Sequence, residues 1–233
     1  TDPRDRRLRP SIYVDVPGHA AILVDTSTDL RQQALTHGIT RVDTVLFTHG
    51  HADHVMGLDE VRRFNLLQGV SMPCFASEAT WADLRHTFHY VFGAPPTQGG
   101  GVPKLMPHTI DGPFVTQGVR VVPVPLWHGR MPILGFRFGT FAYLTDCNGI
   151  PDESWPLLEG LETLVLDALR FRPHSSHFSV DEAITAATRI AARQTFFTHI
   201  CHDISHATHG PALPAGMQLA YDGLALDVTV DVE

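Results

Sequence analysis

The chain has 233 residues, 43% hydrophobic and 18% charged, which is too apolar for disorder and too often interrupted by charge for an apolar run of membrane-spanning length. At this size roughly 70–75% of the unfolded surface can be buried, so a single soluble domain over residues 1–233 needs no disulfide framework. Seventeen Lys and Arg against 25 Asp and Glu give a formal charge of −8, which argues against a sequence-independent grip on nucleic acid and against an anionic membrane surface.

The three cysteines, Cys74, Cys147 and Cys201, are odd in number and widely scattered. They form neither a secreted disulfide scaffold nor a CxxC zinc clip, so a reducing compartment, the cytoplasm by default, is expected. Fifteen histidines nearly match the basic residues in number, and imidazole is the commonest metal ligand. Their placement is where the chemistry should be sought.

In chain order, Thr1–Pro10 is charged and lacks an apolar h-region, so it reads as no secretory signal; the absence of an initiator Met points to processing or to a segment upstream. Strands are expected at Ser11–Val16, Ala20–Asp25 and Thr44–Thr48, with a helix over Thr28–Thr36 that closes at Gly38. Ser77 opens a helix through Phe88, and Trp81, Phe88, His89, Tyr90 and Phe92 at helical spacing read as core. Arg62 and Arg63 read as a solvated helix face, and Thr97–Gly101 as a flexible loop, because it lacks the Lys-Ser/Thr end of a phosphate-binding loop.

Further strands are expected at Val119–Val124, Ile133–Phe138, Thr140–Leu144, Thr163–Asp167 and Thr195–Thr198. Between the last two, Ser179 and Glu182 form a capping box that leads into Ala183–Arg193, and Asp222-Gly223 predicts a closing hairpin. The pattern is α/β of the α+β type with much antiparallel sheet, and it carries no internal repeat.

The strongest local signal is Thr48-His49-Gly50-His51-Ala52-Asp53-His54, directly after the apolar Val45–Phe47. A strand that ends here delivers three imidazoles and a carboxylate to the rim of a sheet. Divalent metals of hard or borderline character take this mixture of N and O ligands, and four such groups can serve two ions.

With four further segments, this loop resembles the metallo-β-lactamase superfamily from about Val14 to Asp227. The elements occur in the family's order: Leu23–Thr26, the His-rich loop, Pro125–Gly129, Tyr143–Cys147 and Phe197–Ile200. The resemblance implies a four-layer αββα sandwich and a hydrolase with two divalent ions per chain. It assigns His49, His51 and His128 to one ion and Asp53, His54 and His199 to the other, with Asp146 bridging. Zn²⁺ or Mn²⁺ suits these ligands, with Fe²⁺ as an alternative. Asp25 is placed behind the ligands as an acceptor for a ligand imidazole; the competing reading is a helix cap before Thr28.

The match extends to the PhnP-type cyclic phosphodiesterases of the carbon–phosphorus lyase pathway, through Pro125–His128, Leu144–Asp146, Gly149–Pro151, Leu166–Ser179, Thr198–His202 and Tyr221–Gly223. That family implies attack by a metal-bridging hydroxide on a small cyclic or nucleotide-like phosphodiester. Asp53 and His177 are then the candidate catalytic residues, with His177 assisting the leaving group from a helix N-terminus. His202 is a candidate substrate contact or a structural partner of Asp203, His174 reads as a surface loop residue, and Cys147 as a small buried one. Asp222 reads as a turn residue.

The family's first strand, its Gly-Thr-Gly-Thr-Ser-like loop and its zinc-holding cysteine cluster have no counterpart in this sequence, whose Thr1 would align just after them, so the structural zinc is not carried over. The long basic insertion of transfer-RNA processing enzymes is also missing, which favours a small-molecule substrate. A homodimer is the candidate assembly, without support from a charge run or heptad seam. Competing functions are acyl hydrolysis of a lactone, thioester or β-lactam at the same site, and a non-catalytic metal-binding role in cofactor biosynthesis.

Overall fold

The computed structural model describes residues 2–93 and 101–233, which form two compact units. Residues 97–100 of the Gly-rich loop lie outside the described residues. The first unit is Arg9–Gly118; the second is Val119–Glu233 together with the N-terminal residues up to Leu8.

The first unit runs β1 (Ile12–Val16), β2 (Ala20–Val24), α1 (Leu30–His37), β3 (Thr44–Leu46), α2 (Ala52–Val55), α3 (Val61–Gln68), β4 (Met72–Ala76), α4 (Glu78–Thr87), α5 (His89–Phe92), β5 (Leu105–Thr109) and β6 (Phe114–Thr116). Its sheet has the order β1-β2-β3-β4-β5. Only β1 and β2 pair antiparallel; β2 to β5 are parallel. Ala20–Val24 is buried at every position, as expected of an inner strand covered on both faces, which reads as a continuous apolar run rather than an alternating one. The core gathers Leu23, Val45, Phe47, Phe64, Trp81 and Leu84. Trp81 and Phe88 are buried as expected, whereas Tyr90 is exposed and donates its hydroxyl to Asp59.

The second unit runs β7 (Val119–His128), β8 (Met131–Phe138), β9 (Phe141–Leu144), β10 (Thr163–Asp167), α6 (Val180–Ile190), β11 (Gln194–Thr198), α7 (His206–His209) and β12 (Met217–Leu219), with strand order β12-β11-β10-β9-β8-β7. β7, β8 and β9 pair antiparallel, then β9 to β12 are parallel. Antiparallel pairing is therefore less extensive than the sequence suggested, because short apolar runs do not disclose strand direction. Val180, Ala183, Ala187 and Ile190 of α6 pack on Leu144, Leu164, Leu166 and Phe197. The capping box forms as expected: Ser179 Oγ accepts from the Glu182 N–H, and Glu182 accepts from the Ser179 N–H.

The hairpin expected at Asp222-Gly223 is not formed. The last strand is β12, paired parallel to β11, and Asp222-Gly223 is a turn with Gly223 at φ 84°. The Asp-Gly signal specified a turn but supplied no flanking strands. Asp222 Oδ2 instead accepts from the Leu8 N–H at 2.8 Å. Among the described residues no helix is long and apolar enough to cross a membrane.

Candidate metal centre

In the first unit, the group is built on two neighbouring strand ends. β2 runs into Asp25, whose backbone is left-handed at φ 65°, and whose N–H donates to Leu46 O on the adjacent β3. This turns a fully buried carboxylate towards the loop after β3. The Thr48 N–H and Thr48 Oγ1 each donate to Asp25 at 2.8 Å, and His54 Nδ1 lies 2.7 Å from Asp25 Oδ2. His49 Nδ1 lies 2.9 Å from Thr48 Oγ1. Since Thr48 gives its one hydroxyl proton to Asp25, its oxygen accepts from His49 Nδ1–H.

One buried carboxylate thus sets the tautomer of two imidazoles, His54 directly and His49 through Thr48. Both keep the Nε2 lone pair that a metal ligand requires. The His49 ring lies 4.6 Å from His51 and 4.4 Å from His54, centre to centre. Gly50 between them leaves no room for a side chain, because a Cβ there would stand 2.6 Å from the Cβ of Asp83. Asp53, on the first turn of α2, is partly exposed, with Arg9 3.5 Å away.

In the second unit the group comes from four strand ends. His128 closes β7, Asp146 follows β9, Asp167 closes β10 and His199 follows β11. β9, β10 and β11 are adjacent and parallel, so their carboxyl ends open on one rim, the usual place for a ligand site in such sheets. Asp146 and His199 are both left-handed, at φ 55° and 56°. His199 Nε2 lies 3.0 Å from Asp146 Oδ1, and His199 Nδ1 lies 3.9 Å from Asp167 Oδ1.

His177 belongs to the same group. Its Nδ1 lies 3.2 Å from Asp167 Oδ1, and its ring centre is 4.7 Å from that of His128 and 4.8 Å from that of His199. The loop carrying it is fastened by Phe178, whose N–H donates both to Asp167 Oδ2 and to Cys147 O. Ligand atoms of Asp146, Asp167, His177 and His199 all fall within 4.8 Å of one another. Burial pushes the Asp167 carboxyl up to about 6, against the hydrogen bond from His177, which draws it down.

Asp167 is not among the residues selected from the sequence, yet the signal was there. It ends the apolar run Thr163–Leu166 as Asp25 ends Ala20–Val24 and Asp146 follows Phe141–Leu144. Thr48 gains its role only in the fold, where its hydroxyl links Asp25 to His49. The His202 side chain is 95% exposed, and its Nε2 is 3.3 Å from Asp203 Oδ1. Cys147 is fully buried, and burial raises its thiol well above the ordinary range, consistent with a packing residue. Asp25 does not cap the following helix, whose N-cap is Asp29.

Among these donors His49 and His54 have Nδ1 held and Nε2 left for a ligand bond, and carboxylates stand beside the imidazoles. That set fits divalent metal ions of borderline character.

The model of the beta-lactamase superfamily domain matches residues 20–200. Among solved structures, a diphosphatase from the PhnP family is 42% identical, with a TM-score of 0.92 over 100% of this chain and 89% of that one. An octanoyltransferase of Porphyromonas gingivalis is 36% identical over 96% of this chain; the chain spans about half the length of that relative, 45%. Coenzyme PQQ synthesis protein B of Xanthomonas campestris is 24% identical over 97% of this chain and 90% of its own length. The matched region carries the His-rich loop and the strand-end His and Asp residues described above, on the α+β fold of the metal-dependent hydrolases of this class. The chain therefore belongs to the metallo-β-lactamase superfamily and, within it, is a PhnP-like member.

Proposed function

We propose that the chain is a dinuclear metal-dependent hydrolase of a small phosphodiester, cyclic or nucleotide-like, and that diesters of diphosphate fall within its range. His49, His51 and His128 would hold one ion, Asp53, His54 and His199 the other, and Asp146 would bridge. Bound there, divalent ions would acidify a water and offset the charge on the phosphoryl oxygens. Zn²⁺ and Mn²⁺ are the candidate metals.

The observation that carries this reading is the Asp167–His177 pair. Asp167 accepts from His177 Nδ1–H at 3.2 Å, which orients the ring. The opposite nitrogen, Nε2, is thereby presented for proton transfer at a departing alkoxide, the task that separates diester cleavage from simple metal binding. His177 sits beside two candidate ligands. The formal charge of −8 and a PhnP-family diphosphatase as relative agree with a small anionic substrate drawn in by metal rather than by surface charge.

A second reading, acyl hydrolysis of a thioester, lactone or β-lactam, is favoured by one observation, the relative named octanoyltransferase. The deciding experiment measures hydrolysis of a chromogenic phosphodiester, a dinucleoside diphosphate, the matching monoester, a thioester and a lactone. The protein is loaded separately with Mn²⁺ and Zn²⁺, then stripped with chelator. Chelator-sensitive turnover of the diester or the diphosphate is the expected result. Turnover of the thioester or lactone alone would transfer the protein to the acyl branch. Full metal occupancy with no turnover would indicate an accessory role, as the name of the Xanthomonas relative suggests.

A further inference from the structure

The loop between β10 and α6 carries a second imidazole beside His177. His174 is partly buried, and its ring centre lies 5.0 Å from that of His177. Its turn is fastened from several directions. Arg170 donates to Arg172 O and Pro173 O, and Asn148 donates to Ser175 O while accepting the Gly129 N–H. Gly129, left-handed at φ 64°, leaves the space: a Cβ there would stand 3.4 Å from Ser175 O and from Ser176 Cβ. Gly129 and Asn148 themselves follow His128 and Asp146 by one and two residues. The turn is thereby locked to the strand ends that carry the candidate ligands.

The Ser176 N–H donates to His174 Nδ1 at 3.3 Å. A ring that accepts at Nδ1 carries its neutral-state proton on Nε2. His174 is therefore held as an Nε2–H donor next to His177, on a turn with little freedom to swing away.

We propose that His174 is a substrate-binding residue whose Nε2–H holds a non-bridging oxygen of the phosphoryl group on which His177 acts. This rests on the phosphodiester reading above and assigns the two imidazoles different atoms of one group. His177 serves the leaving oxygen, and His174 serves an oxygen that stays on phosphorus. Burial and the neighbouring cationic side chains keep the His174 imidazole below its usual range, so at neutral pH it is an uncharged donor, pre-aimed and without its own ion pair to break.

The test compares His174→Ala with His174→Gln, whose amide restores an N–H donor, in the full chain loaded with Mn²⁺. The readouts are KM and kcat for bis(p-nitrophenyl) phosphate, metal content, and the affinity for inorganic phosphate by titration calorimetry. The alanine variant is expected to raise KM and weaken phosphate about tenfold, the scale of one hydrogen bond, with kcat within about twofold and metal unchanged. The glutamine variant is expected to recover most of the loss. Unchanged phosphate affinity in His174→Ala, equal loss in both variants, or loss of metal would overturn the proposal. Should the parent protein turn over no diester, the functional reading fails, while the phosphate titration still decides the role of His174 in the same way.

Discussion

The two units supply candidate ligands in opposite ways. The first gathers His49, His51, Asp53 and His54 within six consecutive residues, and a single buried carboxylate, Asp25, orients two of the imidazoles. The second draws His128, Asp146, Asp167, His177 and His199 from four strand ends and a loop spread over 72 residues. A local loop can lose one hydrogen bond and keep its geometry, because the chain itself holds the donors close. A group drawn from distant strand ends is only as good as the sheet that aligns them. Damage to the second group should therefore strike turnover hardest, and damage to the first should grade metal affinity.

The sharpest break of that contrast is Asp146→Ala. It removes the proposed bridging carboxylate and puts alanine at a left-handed position. Turnover is expected to fall to background, with bound metal reduced when counted by plasma mass spectrometry. Full metal content in this variant would refute the bridging role. Next in size, His177→Ala is expected to lower kcat by about 10²- to 10⁴-fold, the range for a positioned proton donor, with metal content unchanged. An equal loss of metal would make His177 a ligand instead.

In the first unit, Asp25→Asn should weaken metal binding by about 10- to 100-fold, as for other carboxylates behind ligand imidazoles. A chelator competition titration reads this directly; an unaltered curve would show that Thr48 and the loop suffice alone. The smallest effect belongs to Ser179→Ala, which deletes the cap of α6 and should cost about 1 kcal/mol in urea unfolding. Turnover should stay near the parent level, since Asp167 rather than the cap orients His177. A large fall in kcat would show that the helix terminus positions the loop.

The same contrast explains what was legible in the sequence. The His-rich loop announced itself because its donors are neighbours in the chain, and the capping box at Ser179 because both partners lie within one turn. Strand direction was not legible: β2 to β5 and β9 to β12 are parallel, and nothing local in a five-residue apolar run distinguishes that from a hairpin arm. Asp167 escaped notice for a related reason. An acidic residue at the end of an apolar run is ordinary until the loop that follows folds back and places His177 against it. His174 is the clearest case of a residue whose surroundings, Ser176, Asn148 and Gly129, gave no meaning until folded. The expected hairpin at Asp222-Gly223 failed in the opposite sense, since a sound turn signal lacked the strands to join.

The left-handed backbone at Asp25, Asp146 and His199 also shapes the mutational landscape of this chain. A non-glycine residue in that conformation costs roughly 1 kcal/mol or more, and glycine or asparagine relieves it. A saturation library sorted for folded, protease-resistant protein should therefore enrich Gly and Asn at these three positions. The same library sorted for turnover should retain Asp and His, so sites where the two selections diverge would mark function without any knowledge of the substrate.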